Sequence, residues 1–180
     1  GGVVMSAYLT LKNAGALPRF VAGVVLGTVL AVAAHAQDAK KQAEDLIRQG
    51  QQQMSKGQPR DAMRTLSKAI ELDPTNSIAY MARSRARDSS GRFEEALDDA
   101  TKYIELEPTD EYGYLNRARI YLSLEKPEKA LDDANKAIEM KPDEPDGYYR
   151  RADVYSALNK DAEAKADEKK ADELDAKARR

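Results

Sequence analysis

The sequence predicts an all-α solenoid of antiparallel helix pairs, and three observations carry that prediction. Leu72-Asp73-Pro74, Leu106-Glu107-Pro108 and Met140-Lys141-Pro142 recur every 34 residues, with Leu174 on the next beat. The same spacing relates Ala62, Ala96, Ala130 and Ala164, the tyrosines Tyr80, Tyr114 and Tyr148 with Leu46 one beat earlier, and Ile70, Ile104 and Ile138. A fixed period of this size means stacked units that cannot bury their apolar faces alone. Within each unit the apolar residues fall three or four apart, as on one face of a helix.

Along the chain, the first 36 residues stand apart. Lys12 and Arg19 are the only charges before Asp38, and they precede an apolar run from Phe20 to Ala34 that ends in Ala34-His35-Ala36. A basic flank, a run shorter than the roughly 20 residues of a membrane span, and a small-x-small end predict a signal peptide over 1–36, cleaved after Ala36. An uncleaved anchor and a buried core helix are the alternatives, and Met5 is an alternative start. Cleavage would remove Lys12 and Arg19 and move the formal net charge from −2 to −4. The expected location is the periplasm, with secretion or an inner-membrane anchor as alternatives. Residues 37–42 are expected to form a short tail, and the Gln-rich stretch to Gln53 a frayed leading helix.

The repeat units are placed at 43–76, 77–110, 111–144 and 145–178. In the third, Tyr114, Ala118, Tyr121 and Leu122 mark one face of a first helix, and Ala130, Leu131, Ala134, Ala137 and Ile138 one face of a second. Between helices, Gly57 and Gly91 allow a left-handed helix end, a role expected of Asn159 in the fourth unit. Pro59 suits a helix start. Pro74, Pro108 and Pro142 end the second helices, because proline lacks an amide hydrogen and disfavours helix in the residue before it. Ala62, Ala96, Ala118, Ala130 and Ala152 are expected at close helix contacts. The last helix carries Glu163, Lys165, Asp167, Glu168, Lys169, Lys170, Asp172 and Glu173, read as the polar outer face of a terminal cap.

The composition narrows the chemistry. The chain has 180 residues, 29 Lys+Arg against 31 Asp+Glu, no Cys, and one His, His35, inside the expected leader. Near-neutral charge gives no general drive toward nucleic acid. Without Cys or His, the side chains most used for metal ligation and for proton transfer near neutral pH are missing, so no metal site, cofactor or enzyme activity is expected. Asp98-Asp99 and Asp132-Asp133 lie one period apart on second helices. Neighbouring helical residues point about 100° apart, so neither pair converges on one ligand, and both read as solvated outer face. Tyr114 and Tyr148 lie on the packing register and read as core, while Tyr112 and Tyr149 are displaced from it toward a partner.

These features resemble the tetratricopeptide repeat family, most closely in the third unit, where Tyr114, Ala118, Tyr121, Ala130, Ala134 and Pro142 stand at the family spacing. The second unit keeps Tyr80, Gly91, Ala96, Ala100 and Pro108 but has Arg87 for the inner tyrosine. The first keeps Gly50, Gly57, Ala62, Ala69 and Pro74, and the fourth departs after Ala164. The resemblance implies a right-handed α-solenoid of about four units, the last cap-like, with first helices lining a concave groove for an extended peptide or a partner helix. Carried over by position, the groove residues are Met81, Arg85, Tyr112, Leu115, Asn116, Arg119, Tyr149 and Arg150, with Arg48, Gln51, Ile78 and Asp153 beside them.

Arginine pairs carboxylates through a planar fork, so this lining suits an acidic or carboxylate-ended peptide, unless the arginines pair with nearby acids of the chain itself. The family's carboxylate clamp for heat-shock chaperone tails is matched only at Asn116 and Arg150, since Met81, Arg85 and Asp146 replace its lysine, asparagine and lysine. The expected function is an exported, non-enzymatic protein-interaction scaffold that needs no small-molecule substrate. A self-associating envelope subunit is the alternative, and an enzyme accessory domain a more distant one. Membrane contact is expected only through an uncleaved leader.

Overall fold

The computed structural model describes the backbone of residues 19–179 and the side chains from residue 32. Eight helices and no strand occur among the described residues: α1 (Arg19–Ser55), α2 (Pro59–Leu72), α3 (Ser77–Asp88), α4 (Phe93–Leu106), α5 (Glu111–Ser123), α6 (Pro127–Met140), α7 (Pro145–Ala157) and α8 (Asp161–Ala178). Each helix packs on the next, and α1, α3, α5 and α7 also meet their odd-numbered neighbours, so the odd helices form one layer and the even helices the other. Residues 1–18 of the expected leader lie outside the described residues. Residues 37–42 are helical and belong to α1, not to a tail. Among the described side chains, full burial begins at Ala43: Val32 to Asp38 and Lys40 to Gln42 are exposed, whereas Ala43 and Ile47 are buried.

The turns inside the pairs share one device. Gly57 and Gly91 adopt φ of 70° and 73°, Asn159 takes the same left-handed conformation at 58°, and Glu125 does so at 55° in the third pair. Asn tolerates this region through its short polar side chain, whereas glutamate pays a steric cost there. At the other ends, the phenols of Tyr80, Tyr114 and Tyr148 donate to the carbonyls of Pro74, Pro108 and Pro142 at 3.1 to 3.3 Å. These tyrosines are half-buried, not core, because the phenol must reach a prolyl carbonyl at the surface.

Small side chains set the helix spacing. Ala62, Ala96, Ala118 and Ala130 are fully buried and Ala152 nearly so. Three clusters run along the stack. The first joins Ala43 and Ile47 to Leu66 and Ala79, the second sets Ile120 against Ala96 and Ala100, and the third sets Val154 against Ala118 and Ala130. At Gly147, an added Cβ would lie 2.7 Å from the Ile138 side chain, so α7 approaches α6 more closely than alanine permits.

Each pair from the second onward is also pinned by an ion pair between residues 16 apart. Arg83 forks onto Asp99, Arg117 onto Asp133 and Arg151 onto Asp167, all at 2.7 to 2.9 Å. Asp99, Asp133 and Asp167 are buried, which corrects their expected place on the solvated outer face. Asp98 and Asp132, one step around the helix, are exposed. The arginines extend the pin to the preceding unit where a partner is in reach: Arg83 donates to Ser67 and Arg151 to Asn135, both at 2.9 Å. Arg117 lies near the rings of Tyr114 and Tyr121, and Arg151 near those of Tyr148 and Tyr155. In the second pair Arg87 replaces the inner tyrosine and donates to Asp99 as well, at 2.6 Å.

Candidate functional site

The odd helices leave one face of their layer uncovered, and two adjoining cavities open there. One, of about 500 Å³, is lined by Gln51, Met54, Ile78, Met81, Ala82, Arg85, Tyr103, Asp110 and Tyr112. The other, of about 460 Å³, is lined by Arg85, Tyr112, Leu115, Asn116, Arg119, Asp146, Tyr149, Arg150 and Asp153. Arg85 and Tyr112 belong to both, so the two form one groove across four units. Helical phase explains the lining: Met81 and Arg85 are four apart, as are Tyr112 and Asn116, Leu115 and Arg119, and Asp146 and Arg150, so each set shares a helix face.

The two halves differ in chemistry. Toward α1 and α3 the floor is apolar, with Ile78 53% and Tyr112 50% exposed. Tyr103 and Asp110 close its edge, where the Tyr103 phenol donates to the Asp110 carboxylate. Burial, and then that bond, push the phenol pKa well above the usual tyrosine value. Asp110 also caps α5 by accepting from the Tyr112 amide at 3.0 Å.

Toward α5 and α7 the lining is charged. Arg119 forms an ion pair with buried Asp88 and donates to Asn116 Oδ1 at 3.2 Å. Asn116 in turn donates to Ser84 at 3.0 Å, and Ser84 to the Ala96 carbonyl at 2.9 Å, a relay that ties α5 through α3 to α4. Arg150 pairs with Asp153 at 2.8 Å, yet its buried Nε has no acceptor. Burial, reinforced by the positive charge of Arg119, lowers the Arg150 pKa against the pull of Asp153 and, more weakly, Asp146. Tyr149 donates to Asp172 at 2.7 Å and to Asp175 at 3.2 Å on α8. The bond to Asp172, then burial, pushes its phenol up to about 12. The negative charge of Asp146, with a smaller part from burial, raises the Tyr112 phenol.

Seven of the eight groove residues expected from sequence line the second cavity, and Met81 lines the first. Met81 in the first cavity and Leu115 and Asn116 in the second are buried, whereas Arg85 and Tyr112 are exposed. The expected line of ligand-seeking arginines is reduced by the chain's own acids. Arg48 pairs with Asp45 on its own helix and lies outside both cavities, and Arg119 and Arg150 are paired as described. Arg85 has no ion-pair partner among the described residues. Sequence reasoning missed the Arg83, Arg117 and Arg151 pins. The signal was present as two 34-residue series, one of arginine and one of aspartate, a constant 16 apart.

Models described as "Tetratricopeptide repeat" match residues 47–111, 112–144 and 145–177. No curated protein sequence matches the chain significantly. Among solved structures, that of MamA is 25% identical with a TM-score of 0.69, covering 94% of each chain. A thermophilic repeat protein from Thermus thermophilus, TTC0263, is 22% identical with a TM-score of 0.68, over 73% of this chain and 74% of that one. The first repeat domain of Spaghetti (RPAP3), bound to the HSP90 peptide SRMEEVD, is 22% identical with a TM-score of 0.63, over 67% of this chain and 95% of that one.

Proposed function

Because the chain belongs to the tetratricopeptide repeat family, with its α-solenoid fold and its use as a protein-interaction scaffold, we propose that it binds a peptide segment of a partner protein in the groove lined by α1, α3, α5 and α7. The observation that carries this reading is the continuity of the two cavities through Arg85 and Tyr112. An apolar floor beside an unpaired guanidinium suits a segment that carries an apolar side chain and a carboxylate. The protein acts by binding and not by catalysis, a reading that rests on its lack of Cys and on the location of its single His, His35, outside the array. It is exported to the periplasm, on the strength of the basic-then-apolar leader ending in Ala34-His35-Ala36.

The test is capture from an envelope extract by the full chain, beside an Ile78→Glu/Arg85→Glu variant and the exposed even-layer control Lys68→Glu. The expected result is a partner retained by the parent and the control and lost by the groove variant. Equal capture by all three would remove the groove from the reading. Capture of the chain by itself alone would make it a self-associating subunit.

A further inference from the structure

We propose that the groove selects a segment of mixed charge, with an apolar side chain toward α1 and α3, an acidic side chain at Arg85, and a basic side chain toward α7 at Asp146. This inference rests on the reading of the groove as a peptide site and goes beyond it by naming the ligand's charge pattern. A uniformly acidic ligand, the expectation from the arginines alone, would place negative charge against Asp146.

Most charges of the lining are bonded within the chain. Arg119 is taken by Asp88, Arg150 and Asp153 take each other, and Asp110 accepts from Tyr103 and the Tyr112 amide. Arg85 and Asp146 line the same cavity, and neither has an ion-pair partner or a side-chain hydrogen bond among the described residues. They do not reach each other; Asp146 feels Arg150 only through space, since Arg150 is bonded to Asp153, so one cation and one anion face the groove without a bonded partner. An unpaired charge beside low-dielectric walls attracts its opposite more strongly than the same charge on an open surface.

Order along the groove follows from the helices. Met54, Ile78 and Met81 lie on α1 and α3, Arg85 stands where the cavities join, and Asp146 opens α7. The surroundings of each charge agree with its assigned partner. Beside Asp146, Tyr112 and Tyr149 line the same cavity, and aromatic side chains next to a carboxylate suit a lysine or arginine side chain.

A random heptapeptide library displayed on phage, panned against the full chain and against Arg85→Gln and Asp146→Asn variants, tests the proposal. Both positions are exposed, and circular dichroism verifies that each variant folds. The parent is expected to enrich peptides that carry an acidic and a basic residue on either side of a fixed interval. Arg85→Gln should reduce enrichment of the acidic position, and Asp146→Asn that of the basic position, each by roughly fivefold, the upper range for a partly exposed ion pair. Enrichment of purely acidic peptides, unchanged by Asp146→Asn, would overturn the mixed-charge pattern and leave the peptide site standing. No enrichment above background would overturn the peptide site and the pattern with it.

Discussion

Arg117 on α5 lays Nε and Nη2 on the two carboxylate oxygens of Asp133 on α6, each at 2.8 Å, with the arginine side chain 20% and the aspartate 8% exposed. This fork closes the helix pair from inside, and removing one member leaves the other partly desolvated and alone. Asp133→Ala is expected to cost about 2–4 kcal/mol in chemical denaturation, less than a fully buried pair because the arginine retains some water. Asp132→Ala, on the exposed neighbour, should stay within about 0.5 kcal/mol. Equal effects at the two positions would refute the pin.

Arg119 and Arg85 line the same groove but serve different ends. Arg119 compensates buried Asp88, so Arg119→Ala should lower stability by about 1–3 kcal/mol. Arg85→Ala removes an exposed, unpaired charge and should shift stability by no more than about 0.5 kcal/mol while weakening peptide binding. Thermal melts beside a binding titration separate the two roles.

Glu125 holds a φ of 55° where the first two pairs use glycine and the fourth uses asparagine. Glu125→Gly should raise stability by about 0.5–1 kcal/mol, the relief of left-handed strain exceeding the added freedom of the unfolded chain. A lower unfolding midpoint would show that no strain is stored there.

Tyr149 joins α7 to α8 through Asp172 and Asp175, and its phenol is pushed up to about 12 from an ordinary 10.0. The folded state therefore binds the phenolic proton more tightly than the unfolded state. Its contribution is complete below about pH 10 and is lost as pH rises through about 12. Tyr149→Phe should flatten the fall in stability across that window and remove one late-titrating phenolate from the ultraviolet absorbance titration. An unchanged alkaline limb would place the α7–α8 link elsewhere.

The sequence by itself determined the helix pairs and their stacking. Those properties are periodic: a 3.6-residue turn sets which side chains share a face, and a 34-residue unit repeats that face. Asn159 could be read as the left-handed turn because asparagine suits that backbone, whereas Glu125 could not, since only its place in the third turn imposes the conformation. Asp132 and Asp133 are the same residue type at adjacent positions, and burial of the second depends on Arg117 arriving from another helix. Likewise, only the tertiary structure decided which groove charges remain free. Arg119 meets an aspartate 31 residues away on α3, and Asp146 and Arg85 form no ion pair among the described residues, because pairing depends on distances between helices that no period along the chain contains.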